Sequence, residues 1–295
     1  MSYNILSLDG GGIRGIILLQ QLVELELYLG DKICNKFDLI SGTSTGGIIT
    51  ALLAKGYTTK EILDFYLDNT SKIFKRGFLR FGIFRSKYSD KNFNRILKEY
   101  LGEIKLSELE CDVIIPTYNI NKREKRLFKS TKDLNSSLYD VVRATASPQS
   151  FFPSHKIDND YYIDGGMVIN NPSLISYSEA VNNGEKEINL ISFSTGVKKS
   201  EFNTRLTRKG AIFWAKPTVD ILLVEQSKMT DFHMQSIANR DSNINYIRCN
   251  SVIEKSSGKI DDASQCNINN MITDGLKSAD LNSDKIKEFA EKIIK

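Results

Sequence analysis

Residues 37–53 read Phe-Asp-Leu-Ile-Ser-Gly-Thr-Ser-Thr-Gly-Gly-Ile-Ile-Thr-Ala-Leu-Leu and place a serine between a strand and a helix. The apolar run before Gly42 is typical of a strand, and the run after Gly46 is typical of a helix. Residues 42–46 have the form Gly-x-Ser-x-Gly, in which small residues allow a sharp turn that exposes the serine hydroxyl. We therefore predict that Ser44 is a nucleophile, since a serine that only caps the helix needs no glycine on both sides.

A glycine-rich turn lies between the first predicted strand and the first predicted helix. Residues 9–15 read Asp-Gly-Gly-Gly-Ile-Arg-Gly. Glycines let several backbone N–H groups point to one spot beside a helix N-terminus, which suits a phosphate or an oxyanion. The same residues match Gly-x-Gly-x-x-Gly, the dinucleotide-binding fingerprint. This stretch by itself leaves both functions open.

An acidic candidate follows a predicted strand near the middle of the chain, where residues 162–166 read Tyr-Ile-Asp-Gly-Gly. A carboxylate at a strand end can reach a serine at the end of a neighbouring strand, although Asp-Gly is also a common turn. The next motif, Asn170-Asn171-Pro172, predicts a helix start with Asn171 as N-cap and Pro172 at the first helical position.

The base that activates Ser44 is either a histidine or an aspartate. The chain has two histidines, His155 and His233, and the order Ser44, Asp164, His233 fits the triad of α/β-hydrolases. Against a triad, one βα unit alone precedes Ser44, and His233 lies in a predicted helix where we expect it to be partly buried. We therefore favour a dyad in which Asp164 takes the proton directly.

The composition is that of an ordinary soluble globular protein, with 41% hydrophobic and 26% charged residues. A net charge of +4 is too small to indicate nucleic-acid binding but is compatible with contact with an anionic membrane surface. Four scattered cysteines without a Cys-x-x-Cys pair predict reduced thiols in a cytoplasmic protein and no metal site. We expect no membrane-spanning segment and no classical signal peptide.

Strand-like and helical runs alternate, which predicts a three-layer α/β/α fold with a mostly parallel central sheet. We expect a catalytic domain over residues 1–250 and a C-terminal helical extension, residues 251–295, packed on it. Within the extension, residues 282–295 have the pattern of an amphipathic helix that docks on the core, with a membrane or partner contact as the alternative. The predicted strands span 3–8, 36–40, 113–116, 161–163, 188–193 and 244–248, and the predicted helices 16–29, 47–55, 59–69, 92–101, 138–144, 173–182 and 218–238.

Taken together and in chain order, the motifs at residues 9–15, 42–46 and 164–166 resemble those of the patatin-like phospholipase family. The segments 143–153, 170–172 and 214–223 are also similar to that family, so the resemblance covers about residues 3–250. It implies a patatin-like fold and a metal-independent lipid acyl hydrolase without cofactors, of the phospholipase A or lysophospholipase type. It also implies roles for particular residues: Ser44 as nucleophile, Asp164 as general base, Gly10, Gly11 and Gly12 as the oxyanion hole, and Arg14, Gly15, Gly42, Gly46, Gly165 and Gly166 as motif support.

Residues 72–91 interleave aromatic residues with seven lysines or arginines and contain a single acidic residue, Asp90. This composition suits a lid that contacts lipid headgroups, and a loop that packs its phenylalanines on the core is the alternative. The expected partners are an acyl-lipid substrate at a membrane surface, with transient peripheral association, and an activating ligand or protein. The candidate membrane contacts are Arg76, Phe78, Arg80, Phe81, Phe84 and Arg85.

Two other classes of function remain. A dinucleotide-binding oxidoreductase needs an acidic residue at the carboxyl end of the second strand. This chain has Ile-Ser-Gly-Thr-Ser there, at residues 40–44, and Asp38 lies at the beginning of that strand. The dinucleotide-binding fingerprint therefore lacks its confirming acidic residue. The second alternative is a storage or lipid-binding protein with incidental esterase activity, which some patatins resemble.

Overall fold

The computed structural model describes residues 2–75, 85–198 and 208–294, and strands alternate with helices over most of that length. The strands are β1 (Tyr3–Leu8), β2 (Leu39–Gly42), β3 (Asp112–Asn119), β4 (Glu124–Lys129), β5 (His155–Ile157), β6 (Asp160–Asp164), β7 (Ile188–Phe193) and β8 (Ile244–Cys249). The helices are α1 (Gly15–Leu29), α2 (Thr45–Ala54), α3 (Thr59–Ile73), α4 (Lys91–Leu101), α5 (Leu138–Thr145), α6 (Ser173–Asn182), α7 (Ala211–Ala238) and α8 (Gln265–Ile294).

The described strands form one mixed sheet in the order β5-β6-β3-β2-β1-β7-β8, with β4 paired to β3. The neighbours β3, β2, β1, β7 and β8 are parallel, whereas β4, β6 and β5 join as antiparallel strands. The carboxyl ends of β1 and β2 lie side by side, with Leu8 paired to Gly42. Ligands of open parallel sheets bind at this edge.

Helices cover both faces of the sheet and confirm the predicted three-layer α/β/α fold. Successive strand residues point to opposite faces. On one face, Ile5 and Leu190 pack in a cluster with residues of α6 and α7. On the other, Leu6 and Ile40 pack in a larger cluster with residues of α1, α2 and α8. Burial on both faces explains why β1, β2 and β7 are largely apolar runs.

Helix α8 packs along α1. The two helices approach closely at Gly275, where a Cβ would lie 2.6 Å from a side-chain atom of α1. Ile286, Phe289 and Ala290 are fully buried. Phe289 also stacks on Phe37, with ring centroids 6.0 Å apart. The apolar face predicted within residues 282–295 thus packs against the core.

The helix boundaries differ most from the sequence prediction at the starts of α8 and α7, whereas α6 spans the predicted residues 173–182 and differs only in its cap. Helix α8 begins at Gln265 rather than at residue 282, because the Asn, Ser and Asp residues of its first half obscure the helical period. Helix α7 begins at Ala211 and contains Pro217, a residue that ordinarily ends a helical pattern. Helix α6 begins at Ser173, so Pro172 lies just outside it, while Asn171 Oδ1 accepts a hydrogen bond from the Ser173 N–H (3.0 Å).

Among the strands, β4 and β5 are not predicted from the sequence, and β2 runs over Leu39–Gly42 rather than 36–40. Strands β4 and β5 are polar, short and paired on one side, so they lack the apolar alternation that predicts a strand. Strand β2 begins later because residues 33–35 form a 3-10 turn, in which the N–H groups of Lys36 and Phe37 donate to Ile33 O (3.0 and 3.2 Å). Strands β1 and β7 match the prediction at both ends.

Candidate active site

Ser44 stands on a tight turn between the end of β2 and the start of α2. Its backbone has φ 54° and ψ −118°, a conformation that costs a non-glycine residue about 1–3 kcal/mol and is concentrated at functional sites. The surrounding glycines make the turn possible, since a Cβ at Gly42 would lie 2.1 Å from Gly46 O, and one at Gly46 would lie 2.4 Å from Leu8 O. The predicted elbow is therefore present, with the serine at its apex.

Thr145 supports this strained residue from α5. The Ser44 N–H donates to Thr145 Oγ1 (3.0 Å), and the Thr145 hydroxyl donates onward to Pro116 O on β3 (2.6 Å). Because Thr145 is fully buried, the hydrogen bonds fix the turn relative to both β3 and α5. The sequence around Thr145 resembles the family, but nothing in it indicates a role for this residue.

Asp164 meets Ser44 at the end of β6. The Ser44 hydroxyl donates to Asp164 Oδ2 (2.6 Å), and the Gly166 N–H donates to Asp164 Oδ1 (2.8 Å). The pairing of β6 with β3, in which Asp164 is opposite Thr117, carries the carboxylate to this position. Both carboxylate oxygens are thus occupied, one by the serine and one by the backbone.

The environment of Asp164 makes it a stronger base than an exposed aspartate. Burial raises the pKa of Asp164 from 3.8 to about 6, and the hydrogen bonds from Ser44 and Gly166 oppose that rise. At neutral pH most of the carboxylate is still ionised, and its affinity for a proton is increased. A base with a pKa near the working pH is effective in proton transfer.

The simpler structural roles, a helix cap for Ser44 and an Asp-Gly turn for Asp164, do not account for the pair. Ser44 occupies the N-cap position of α2 without a side-chain capping bond, since its hydroxyl is bound to Asp164. Asp164 does make the Asp-Gly turn contact with Gly166, and it does so with the oxygen that Ser44 leaves free.

Neither histidine joins the pair. His155 on β5 is paired with Asp140 on α5 instead, with 2.8 Å between His155 Nε2 and Asp140 Oδ1. His233 is exposed on α7, so the prediction that it is partly buried was wrong; it lies on the outward side, next to the exposed Phe232. Among the hydrogen bonds of the described residues, those of Ser44 and Asp164 include none to a histidine.

The glycine-rich turn follows β1 and lies against Ser44, since a Cβ on Gly10 would be 3.4 Å from Ser44 Cβ. The prediction that three of its amides form the oxyanion hole needs a correction. The Gly10 N–H donates to Asn170 O (3.1 Å) and is not free. For the N–H groups of Gly11 and Gly12 we find no acceptor among the described residues.

The side chain of Arg14 donates hydrogen bonds to backbone carbonyls at and beside the glycine-rich turn. Its Nε donates to Gly11 O (3.2 Å) and its Nη1 donates to Gly196 O (2.7 Å). Burial lowers the pKa of Arg14 to about 10, and the side chain remains charged at neutral pH. The structure thus places Arg14 on the turn's carbonyl groups and away from the Ser44–Asp164 pair.

The remaining motif glycines lie where neighbouring elements touch. A Cβ on Gly15, at the start of α1, would be 2.6 Å from Thr45 Oγ1. Gly165 and Gly166 form a single 3-10 turn after β6, and a Cβ on Gly165 would be 2.1 Å from Pro116 O.

Three further residues bind the site together: Asn170, which the sequence indicates only as part of a helix start, and Thr195 and Arg248, to which the sequence assigns no role. Thr195 Oγ1 donates to Gly10 O (2.7 Å). Asn170 bridges to α7, with its Nδ2 donating to Ser227 Oγ (2.9 Å). Arg248 at the end of β8 forms a buried, two-pronged ion pair with Asp9. For Thr195 the available signal was a polar residue just after a buried parallel strand. For Arg248 it was a charged residue within the predicted parallel strand 244–248.

Five of the candidate membrane contacts, Arg76, Phe78, Arg80, Phe81 and Phe84, lie outside the described residues. The sixth, Arg85, is exposed. The aromatic residues that flank this stretch pack inward, with Phe74 and Tyr88 at 5.3 Å between ring centroids and both close to Phe152. The prediction of a membrane contact at residues 76–85 therefore stays a prediction.

In the described ranges we find no helix long and apolar enough to cross a membrane. The same ranges contain no group of three or more His, Cys, Asp or Glu residues arranged to hold a metal ion. Asp38, the acidic residue of the dinucleotide alternative, accepts a hydrogen bond from Asn4 N (2.7 Å) at the amino end of the sheet, away from the glycine-rich turn. That position does not suit contact with a nucleotide ribose.

Comparisons with known proteins show the family to which this chain belongs. The family model described as patatin-like phospholipase matches residues 6–175, which include both Ser44 and Asp164. Patatin-like protein 4 of Arabidopsis thaliana is 30% identical over 94% of this chain and 83% of its own length. The chain therefore belongs to the patatin-like phospholipase family, and this membership supports a lipid acyl hydrolase.

Solved structures with the same fold include two distant proteins. The crystal structure of VipD from Legionella pneumophila matches with a TM-score of 0.50 at 15% identity, over 96% of this chain and 67% of that one. Human GIVD cytosolic phospholipase A2 matches with a TM-score of 0.50 at 9% identity, over 99% of this chain and 59% of that one. At these identities the likeness shows the fold, a mixed and mostly parallel sheet with helices on both faces.

Proposed function

We propose that the chain is a metal-independent lipid acyl hydrolase of the phospholipase A or lysophospholipase type, with Ser44 as nucleophile and Asp164 as general base. The observation that carries the proposal is the hydrogen bond of 2.6 Å from the Ser44 hydroxyl to Asp164 Oδ2. It joins a serine on a strained turn to a buried carboxylate of raised pKa. That combination is the chemistry of an activated nucleophile.

In the first half-reaction, Ser44 Oγ attacks the carbonyl carbon of an acyl ester while Asp164 Oδ2 takes the hydroxyl proton. The carbonyl oxygen becomes negative in the tetrahedral intermediate, and the N–H groups of Gly11 and Gly12 donate to it. One such donor is typically worth about 3 kcal/mol of transition-state stabilisation. The ester C–O bond then breaks, and the leaving alcohol takes its proton from Asp164.

In the second half-reaction, water replaces the alcohol. Asp164 accepts a proton from the water, whose oxygen attacks the acyl carbon on Ser44. The second tetrahedral intermediate uses the same amides and releases the fatty acid, and Ser44 regains its proton from Asp164. The charge stabilisation in both steps comes from backbone donors and the proton transfers from Asp164, so the cycle is complete without a metal ion.

The lipid substrate class is supported by membership of the family described as patatin-like phospholipase. We further propose a cytoplasmic protein that associates transiently with membranes, with residues 76–85 as the contact and an activating ligand or protein as a further partner. Residues 1–250 would form the catalytic domain and residues 251–295 an extension of it. Nucleic acid is not proposed as a substrate, because the net charge of +4 is small for a chain of this length.

The test is fatty-acid release from mixed phospholipid vesicles in EDTA, with wild type beside Ser44→Ala. Ser236→Ala is the matched control, because Ser236 on α7 bonds to Phe232 O within its own helix. We expect release by wild type and Ser236→Ala and a loss of at least about 10³-fold in Ser44→Ala. Equal release by Ser44→Ala would refute the nucleophile, and release that stops in EDTA would refute metal independence.

A further inference from the structure

The Gly10 carbonyl is held by a residue far along the chain. Thr195 Oγ1 donates to Gly10 O at 2.7 Å, and the threonine side chain is buried. The register of the sheet explains the contact. Leu8 on β1 is paired with Phe193 on β7, so the residues two positions beyond each strand, Gly10 and Thr195, lie side by side.

A bond to the Gly10 carbonyl also fixes the direction of the Gly11 amide. The peptide bond between Gly10 and Gly11 is trans, and in a trans peptide the C=O and N–H groups point in opposite directions in one rigid plane. A carbonyl pulled toward Thr195 therefore turns the Gly11 N–H away from Thr195. Arg14 does the same for the next peptide, since its bond to Gly11 O directs the Gly12 N–H.

Thr195 packs tightly on the same turn. A Cβ on Gly11 would lie 2.1 Å from Thr195 Oγ1 and 2.6 Å from Thr195 Cβ. A side chain at position 11 would therefore displace the threonine or rotate the peptide. This close approach is a reason for glycine at position 11 that the sequence motif alone does not give.

We propose that Thr195 is a positioning residue of the oxyanion hole. Its hydroxyl holds the Gly10 carbonyl and so presents the Gly11 N–H to the oxyanion that forms at Ser44. The proposal rests on the proposed function. It adds a residue from outside the matched range of residues 6–175 and from outside the glycine-rich motif, and it explains what orients the Gly11 N–H.

The experiment compares Thr195→Val with Thr195→Ser, using a soluble nitrophenyl ester and separate determination of kcat and KM. Valine keeps the shape and removes the hydroxyl, whereas serine keeps the hydroxyl. Removing one oxyanion donor outright costs about 10²–10³ in kcat, so a misaligned donor should lower kcat about 10- to 100-fold. KM should change less than about twofold, because the bond to the oxyanion exists only in the transition state.

Thr70→Val is the matched control. Thr70 is also buried and also donates its hydroxyl to a backbone carbonyl, that of Tyr66 (2.5 Å), but within α3. We expect Thr70→Val and Thr195→Ser to keep kcat within about threefold of wild type. Circular dichroism and thermal melts check that each variant is folded, and Thr195→Ala replaces the valine variant if that variant does not fold.

The proposal is overturned if a folded Thr195→Val keeps wild-type kcat, if the loss appears in KM alone, or if Thr195→Ser falls as far as Thr195→Val. Its failure is distinguishable from that of the proposed function. If wild type and Ser44→Ala hydrolyse the ester equally, Ser44 is not the nucleophile whatever Thr195 does. If Ser44→Ala is inactive and Thr195→Val is unaffected, the dyad stands and the positioning role is refuted.

Discussion

At the scale of the residue, Asp164 has two roles that oppose each other. As a base it must be ionised, and as a buried group it is more costly to ionise than an exposed aspartate. The hydrogen bonds from Ser44 and Gly166 offset part of that cost. The pKa of about 6 is the balance between the two, and it leads to predictions for both activity and stability.

The first prediction concerns activity. Because the proton must move to ionised Asp164, kcat/KM should fall about tenfold per pH unit below a midpoint near 6 and level off above pH 7. The measurement is the pH profile of kcat/KM with an uncharged nitrophenyl ester, because this substrate has no group that titrates. A profile that stays flat down to pH 5 in a folded enzyme would contradict a role for Asp164 as base.

The second prediction concerns stability. The pKa of Asp164 is raised on folding, so the folded state favours the protonated carboxyl. The resulting contribution to the free energy of unfolding is complete below the unfolded pKa of 3.8 and is lost as pH rises through about 6. Asp164→Asn, which has no charge to bury, should therefore gain stability relative to wild type as pH rises from 4 to 8. Two units correspond to at most about 3 kcal/mol.

Urea unfolding of both proteins at pH 4 and pH 8 measures that gain. The asparagine variant should also lose at least about 10³-fold in kcat, since an amide cannot take the serine proton. A gain that is equal at the two pH values would show that the buried charge is not its cause.

The sequence predicts Ser44 and Asp164 because each lies in a motif whose glycines and flanking strand are local features. The hydrogen bond that occupies the Gly10 N–H could not be predicted from such local features. Its acceptor is the carbonyl of Asn170, which is 160 positions away and reaches it through the folding of α6 against the sheet. The hydrogen bonds of Thr145 and Thr195 at the site likewise depend on strand order and could not be predicted from local sequence.

At the scale of the element, apolar runs predict strands well where the strand is buried on both faces, as for β1 and β7. They do not predict β4, which begins with the consecutive charged residues Glu124, Lys125 and Arg126 and is partly exposed. For α8, residues 265–281 are polar enough to hide the helix, although Met271 and Ile268 on its buried side face the core. Packing against α1 determines this helix more than its own sequence pattern.

The third prediction tests that packing. Phe289→Ala on α8 removes a buried ring that stacks on Phe37 and should cost about 3–5 kcal/mol of unfolding free energy. Leu281→Ala on the same helix is the matched control, since Leu281 is 59% exposed and should change stability by about 0.5 kcal/mol or less. Denaturant curves measure both, and equal costs would show that α8 is not packed as described.

At the scale of the whole molecule, the C-terminal segment touches the site from outside the matched family range. Ile260 O accepts a hydrogen bond from the Ile13 N–H at the glycine-rich turn (3.0 Å). The next residue, Asp261, binds Lys87 as an ion pair and accepts a hydrogen bond from the Tyr88 hydroxyl (2.8 Å). One loop therefore contacts both the glycine-rich turn and the chain that follows residues 76–84.

The fourth prediction concerns membrane contact. Reversing the charges of Arg76, Arg80 and Arg85 to glutamate should weaken binding to anionic vesicles at least about tenfold, since each cation near such a surface contributes about 1 kcal/mol. Hydrolysis of a soluble ester should stay within about twofold, because the Ser44–Asp164 pair is untouched. Vesicle sedimentation measures the binding, and undiminished binding would assign the membrane contact to another surface.

The central claim is that Ser44 is a nucleophile activated by Asp164. The most direct measurement is peptide mass spectrometry after brief treatment with an alkyl fluorophosphonate at pH 8, for wild type, Asp164→Asn and Ser44→Ala. We expect one phosphonyl adduct on the Ser44 peptide of wild type, labelling slowed at least about 10²-fold in Asp164→Asn, and none in Ser44→Ala. An adduct on another residue, or equal labelling of Ser44 without Asp164, would contradict the account.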